Sequence, residues 1–350
     1  MHSSEVMIPR ERVLAALAHQ QPDRTPFDFW AEEPAWNRIL QFAGHNDRER
    51  LLKELGIDIR HLDAPGPAER EVGDGVFQNF WGERYIYRQT PWGPMREDVR
   101  GALADASGLG DLESFSWPSP DDLDHSPLKD LARKHEAYGL IYGFADVWQR
   151  PGLVRGWEQM FLDMKERPEW SHFLCRKFTD FYIEDYTRAA EATNGRIDLY
   201  LLISDLGMQH GPLISRMTFL KFVAPYLLEM IDHIHGLGAR VMFHSCGMIR
   251  PLIPVLIELG VDVLDPIQPT GPEMAPGKLK TDFGEQLCFH GGIDLQRLLP
   301  QGNPDEVRAT VRHYCETLGK GGGYILAPSH FFQPDVPPEN VMAVYQALPA

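Results

Sequence analysis

The chain has no surplus of basic residues. Its 34 lysines and arginines face 50 aspartates and glutamates, a formal charge of −16 at pH 7. A nucleic-acid binder needs a basic face, so this balance argues against that class. No apolar run approaches the ~20 residues that span a bilayer. Met1–Arg10 has no basic stretch followed by an apolar one, the mark of a secretory leader. Four cysteines (Cys175, Cys246, Cys288, Cys315) in 350 residues do not make a disulfide framework. These absences lead us to expect a cytoplasmic protein with neither membrane nor nucleic acid among its partners.

With 43% hydrophobic residues, the chain can bury a sizeable core. Helical spacing in Arg10–His19 is followed by a breaker, Gln21-Pro22-Asp23-Arg24, and Thr25–Trp30 reads as a first strand. From Ile57 to about Trp117 the pattern is looser and suggests a hairpin or small subdomain. Beyond it the chain turns regular. Strands are expected at Tyr138–Phe144, Asp198–Ser204, Arg240–Phe243, Val261–Ile267, Leu287–Phe289 and Tyr324–Ala327. Helices lie between them, among them a single one over Met217–Leu237. Alternating strands and helices with short loops imply a parallel sheet. The strand count approaches eight, which favours a (β/α)₈ TIM barrel over an open sheet. Residues 1–350 read as one such domain, with the 57–117 region as a less regular insertion.

Polar residues fall just past the expected strand ends: Asp205, His244, Cys246, Gln268, Asp294 and His330. In a barrel those ends converge on one mouth, where barrel active sites lie. His244 and Cys246 are two apart, so on an extended strand both point to one side. An imidazole and a thiolate there are half a zinc site. The pair alone is also compatible with ordinary packing, since cysteine is among the most buried residues. Gly247 permits a sharp turn and leaves space beside the pair. His330, in Ala327-Pro328-Ser329-His330-Phe331-Phe332, is the candidate third ligand; the other reading is a loop histidine bonded to backbone. Three protein ligands with an open fourth position is the catalytic zinc pattern. Asp205 is an acid/base, an anchor, a fourth ligand or a turn aspartate. Asp294 reads more as a helix cap, and His290, Gln268 and Asp28 are weaker candidates. Trp30, Phe144, Phe331 and Phe332 supply aromatic surface for a pocket. Cys175, Cys288 and Cys315 fall within expected helices or strands and look inert.

The segments RERVLAALAHQQPDRTPFDFW, FHSCG, IPVLIELGVDVLDPIQP, FHGGIDLQRLLP and GGGYILAPSHFFQPDVPPEN together resemble the uroporphyrinogen decarboxylase superfamily, most clearly from about Gly156 onward. The resemblance implies a (β/α)₈ barrel, and a homodimer is the family expectation. It also offers two chemistries. The true decarboxylase uses no metal and holds its substrate's carboxylates with an arginine-rich N-terminal segment; the matching region here, Phe27–Asn37, has no arginine. The other branch is similar to methylcobalamin:coenzyme M methyltransferase. There a His-x-Cys pair and a cysteine in a C-terminal APGC segment bind zinc. This chain matches with His244 and Cys246, and His330 stands where that cysteine would be. A His/Cys/His set leaves a net charge of about +1 on the metal site, against about zero for His/Cys/Cys. That makes the metal the stronger Lewis acid and less suited to activating a thiol.

The resemblance therefore implies a zinc-dependent methyltransferase, acting between a small-molecule methyl donor or acceptor and a corrinoid (cobalamin). A methyl ether such as a methoxylated aromatic is one expected donor, which would make the protein a demethylase. No Asp-x-His-x-x-Gly motif occurs, so the corrinoid is expected on a separate partner protein. Zinc would sit on His244, Cys246 and His330, with Asp205 handling the proton or completing the metal shell. Trp30, Phe144, Gln268, Phe331 and Phe332 would line the substrate pocket. The alternatives are a metal-free carboxy-lyase using Asp205 as acid/base and Arg155 and Arg250 for charge, and a non-catalytic metal-binding barrel.

Overall fold

A computed structural model describes residues 6–91, 93–271 and 273–348, so the first half of the Met1–Arg10 segment lies outside the described residues. The strands are β1 (Ile59–Leu62), β2 (Arg70–Gly73), β3 (Val76–Gln78), β4 (Arg84–Thr90), β5 (Gly93–Arg100), β6 (Gly139–Ala145), β7 (Leu199–Ile203), β8 (Arg240–His244), β9 (Val263–Ile267), β10 (Cys288–Ile293) and β11 (Tyr324–Pro328). They form a seven-stranded parallel sheet in the order β1-β6-β7-β8-β9-β10-β11 and a separate antiparallel sheet in the order β2-β3-β4-β5. Helices link successive strands of the large sheet, as parallel connections require.

The expected barrel is met in part. The large sheet curls into a half-barrel of seven strands, not a closed ladder of eight. The Thr25–Trp30 segment, expected as the first strand, makes only one isolated parallel bridge, Phe27 to Leu326, and Ala31 just beyond it makes another, to Phe332. It nevertheless links the two sheet edges: Asp28 N donates to Leu326 O on β11, and Asp58 N, just before β1, donates to Phe27 O, both at 2.9 Å. Pro26 has no amide hydrogen to contribute to a ladder there.

Alternation along the strands sets what lies inside the curl. Ile59, Ile141, Leu199, Leu201, Met242, Val263, Cys288 and Ile325 pack in one buried cluster, with Val13 and Trp30 added to it. Val13 comes from the helix Pro9–Leu17, which lies against the strand starts: Gly323 N donates to Ala16 O and Arg10 N to Ala137 O. Trp30 covers the other end of the cluster. The residues between the inward ones face outward and bury against helices, chiefly the long helix Pro168–Ala192 and its neighbours. The helix expected over Met217–Leu237 is two, Arg216–Phe222 and Ala224–Gly236. The break falls at Val223, just before Pro225, which cannot give the amide that a continuous helix needs. Of the apolar face expected there, Leu220, Val223, Leu227, Met230, Ile231 and Ile234, all are fully buried except the half-buried Leu220.

Within 57–117, β1 belongs to the large sheet and β2 to β5 form the antiparallel one. The latter is largely exposed and is fastened to the barrel helices by Trp81, whose ring lies 4.7 Å from those of Phe178 and Phe181. The Glu83–Arg150 ion pair, at 2.9 Å, adds a second tether. No helix among the described residues is long and apolar enough to cross a membrane.

Met242 is fully buried in the inward cluster, two residues before His244. Met242→Ala should lower the unfolding free energy by about 2–4 kcal/mol through lost burial and a residual cavity, read as a fall in the urea midpoint.

Candidate metal centre at the strand ends

The same period of two that fills the interior builds the site. One step beyond the inward apolar residues, four of the strands present a polar side chain on the same face. Ile59 is followed by His61, Met242 by His244, Val263 by Asp265 and Cys288 by His290. Register then aligns them, since His244 and Asp265 are direct partners across β8 and β9.

Donor atoms of His244, Cys246 and His330 lie within 4.8 Å of one another. His244 Nε2 and Cys246 Sγ are 3.6 Å apart. Metal–nitrogen and metal–sulfur bonds of about 2.1 and 2.3 Å in tetrahedral geometry separate two donors by about 3.6 Å, so this pair fits a shared zinc ion. His244 Nδ1 lies 2.5 Å from Asp265 Oδ2. The carboxylate accepts the Nδ1 proton, which turns the Nε2 lone pair toward Cys246; this fixed tautomer is what a histidine ligand requires. Burial disfavours the protonated ring, but the Asp265 charge and hydrogen bond outweigh it and raise the His244 pKa well above its ordinary value, so a metal taken up at Nε2 would displace a proton there. At His330 burial wins, with help from nearby His244, and its pKa is lowered. A neutral His330 is a competent ligand.

Asp205 lies beside the cluster. Its Oδ1 accepts from Cys246 N at 2.8 Å and is 3.8 Å from His244 Nε2. Gln268 Oε1 accepts from Gly247 N at 2.7 Å and so braces the turn that carries Cys246. Gly247 has φ +83, as a sharp turn needs, but the space beside it is not open. A side-chain carbon there would lie 2.6 Å from the Gly207 backbone, because the loops after β7 and β8 pack main chain to main chain.

Trp30, Phe144 and Phe331 form the aromatic wall, with ring centroids 5.0 Å apart for Trp30–Phe331 and 6.2 Å for Trp30–Phe144. The Trp30 indole lies parallel to His244 at 6.5 Å, and Phe331 adjoins His330 at 5.2 Å. Phe332 does not join them. It points the opposite way from Phe331 and is fully buried against Phe29 and Tyr345, so its expected place in the pocket is corrected to the core. Asp294 caps the turn before helix Leu298–Gln301, accepting from the amides of Gln296, Arg297 and Leu298. The three other cysteines are buried or partly so, and burial pushes their thiols up, Cys288 to about 12 and Cys315 to about 11.

Sequence reasoning missed His61 and Asp265 and ranked His290 and Asp28 low. The structure joins all four. Asp265 Oδ1 lies 2.5 Å from His290 Nδ1, and Asp28 Oδ2 lies 3.1 Å from His290 Nε2. Asp28 also accepts from His61 Nε2, from the Trp30 indole N–H and from Phe29 N. Burial alone would raise both carboxyl pKa values, but the imidazoles around them hold each far below the usual range. His290, opposed by burial, is raised by Asp265 and then Asp28 to about 9. The repeated apolar-x-polar step at strand ends was the available signal. The arginines expected to supply a cationic pocket are engaged elsewhere: Arg155 with Asp163 at 2.6 Å, and Arg250 with Glu273 and Asp282.

The profile described as "Uroporphyrinogen decarboxylase (URO-D)" matches residues 152–349, more than half of the chain. The chain belongs to this family. Similar curated proteins are the uroporphyrinogen decarboxylases of Pseudomonas aeruginosa (strain LESB58) and Methylococcus capsulatus. The first is 22% identical over 281 residues, 75% of this chain and 72% of its own length. The second is 24% identical over 261 residues, 72% of this chain and 70% of its own. Among solved structures, a methyltransferase from Methanosarcina mazei superposes with a TM-score of 0.67 at 17% identity, covering 97% of this chain and 98% of that one. That likeness is one of fold.

Two outcomes follow. Gly247→Ala should destabilise the protein by about 2 kcal/mol or more, since it meets both a positive φ and a backbone contact, and thermal melting would read it. The raised His290 pKa means the folded state binds this proton more tightly than the unfolded one. That stabilisation is fully present below the ordinary value of 6.5 and is lost as pH rises through about 9. Urea unfolding between those limits should show a loss on the order of a few kcal/mol, smaller in His290→Gln, where the raised His244 still contributes.

Proposed function

We propose that this family member is a zinc-dependent methyltransferase that moves a methyl group between a small substrate and a corrinoid carried by a partner protein. The observation that carries the reading is the convergence of His244, Cys246 and His330 donor atoms within 4.8 Å at the strand ends. The donor set is one thiolate and two imidazoles, with no fourth histidine or cysteine in the cluster among the described residues, which suits an open catalytic site. A bound zinc would act as a Lewis acid toward the oxygen or sulfur that loses or gains the methyl group.

The chain's own residues do the rest. Asp265 fixes His244 as a ligand, and Asp205, at hydrogen-bonding range of the Cys246 amide, is the group at hand to move a proton at the substrate heteroatom. Trp30, Phe144 and Phe331 give an apolar surface that orients a small, flat substrate and excludes water. A methyl ether such as a methoxylated aromatic is the donor we favour, because a His/Cys/His site keeps more positive charge than one with two thiolates. We read the Thr25–Trp30 segment as the eighth strand position of a (β/α)₈ barrel, and residues 1–350 as a single domain with the β2–β5 sheet as its insertion. The metal-free decarboxylase reading needs a cationic pocket, and Arg155 and Arg250 are both committed to other carboxylates.

The test is metal content by mass spectrometry on wild type, His244→Ala, Cys246→Ser and His330→Ala. We expect about one zinc per chain in wild type and loss from all three variants. Methyl transfer from methoxylated aromatics to cob(I)alamin, followed by its absorbance, should fall by at least ~100-fold in each, given several kcal/mol of Lewis-acid stabilisation. A wild type that takes up no zinc contradicts the reading. Zinc retained in His330→Ala alone would move the third ligand to Asp205.

A further inference from the structure

Both ring nitrogens of His290 meet carboxylates, Asp265 on Nδ1 and Asp28 on Nε2. Ionised carboxylates only accept hydrogen bonds, so both nitrogens must donate, and a ring that donates from both is an imidazolium. Asp28 offers no alternative, because its two oxygens already accept from Phe29 N, the Trp30 indole and His61. Asp28, His290 and Asp265 are 0%, 1% and 2% exposed. Three buried charges are a costly interior where apolar packing would serve stability as well. They carry one net negative charge, and Asp265 places it directly on His244. The proposed centre, with one thiolate and two imidazoles on zinc, carries about one net positive.

We propose that His290 is a positioning residue, held between two buried carboxylates, that keeps Asp265 aimed at His244 and so sets the strength of the metal site. This inference rests on the metal reading above. Its mechanism is specific. Asp265 uses one oxygen for each histidine, so the bond to His290 fixes the direction of the other oxygen toward His244. Without His290, the other oxygen of Asp265 loses the partner that pins it, and the carboxylate is free to turn. A rotated Asp265 no longer accepts from His244 Nδ1, and that ring loses its fixed orientation. His61 ends the chain at the solvent side: its side chain is 31% exposed while that of Asp28, its partner, is 0% exposed.

The experiment is zinc competition against a chromogenic chelator, with melting curves and the absorption spectrum of the Co(II)-loaded protein recorded on the same samples. His290→Gln keeps a polar side chain but no charge. It should weaken zinc binding about tenfold to a hundredfold, the usual cost of losing an outer partner of a ligating histidine, and alter the cobalt spectrum. His290→Lys, which restores a cation able to reach both carboxylates, should recover affinity to within about threefold of wild type, since that outer-partner effect then returns. Asp28→Asn keeps the volume and leaves the His290–Asp265 bond in place, so it should lose less than His290→Gln. A larger loss contradicts the order of the chain. If the Gln variant fails to melt cooperatively, the Lys variant decides: near-wild-type affinity supports the proposal, and a hundredfold loss with a normal melt overturns it. Wild-type affinity in His290→Gln overturns the proposal. So does a Lys variant as weak as Gln with a normal melt, which would make the role one of shape. A wild type without zinc overturns this inference together with the metal reading, whereas zinc binding that ignores His290 overturns this one alone.

Discussion

One carboxylate holds the centre of this molecule together. Asp265 sits at the end of β9 with a histidine on each oxygen, His244 from β8 and His290 from β10. Three neighbouring strands therefore meet at a single buried anion, and the register of the sheet has to be right for it to be satisfied. A shift of one residue on any of them would turn a charged or polar group into the helix layer and an apolar one into the mouth. The sheet and the site thus constrain each other. Packing of the inward cluster sets the register, and the register delivers His244 with its Nδ1 already engaged by Asp265.

The donor set gains meaning from this surrounding. A centre with one thiolate and two imidazoles is more positive than one with two thiolates, and the buried chain beneath it carries the opposite charge. In a low-dielectric interior such a balance matters more than at the surface. Aromatic rings complete the enclosure on one side, with the Trp30 indole touching the chain through Asp28 and the mouth through Phe331. Pocket wall and hydrogen-bonded chain are therefore one structure, built on the segment that bridges the two edges of the sheet.

Much of this is legible in the amino-acid sequence. The regular strands from Gly139 onward begin within two residues of where the sequence places them, because alternating strand and helix periods are strong signals there. His244, Cys246 and His330 stand out because soft ligands at strand ends are uncommon. What escapes is what depends on register and packing. Asp265 lies inside a strand that reads simply as apolar, where only its place two residues after Val263 sets it apart from Asp262, which faces Arg240 and His235 at the surface. Phe331 and Phe332 are equivalent as sequence, and only the strand end decides which meets the pocket. Thr25–Trp30 has strand composition but forms bridges instead of a ladder. The helix break at Val223 is marked by Pro225, a signal masked by the continuous apolar stripe on either side of it.

The most direct measurement is X-ray absorption at the zinc edge on protein loaded with one equivalent of metal. The account predicts a first shell containing one sulfur at about 2.3 Å and two imidazole nitrogens at about 2.0–2.1 Å, with a light atom in the remaining position. A shell without sulfur, or one with four protein ligands and no exchangeable position, would contradict it.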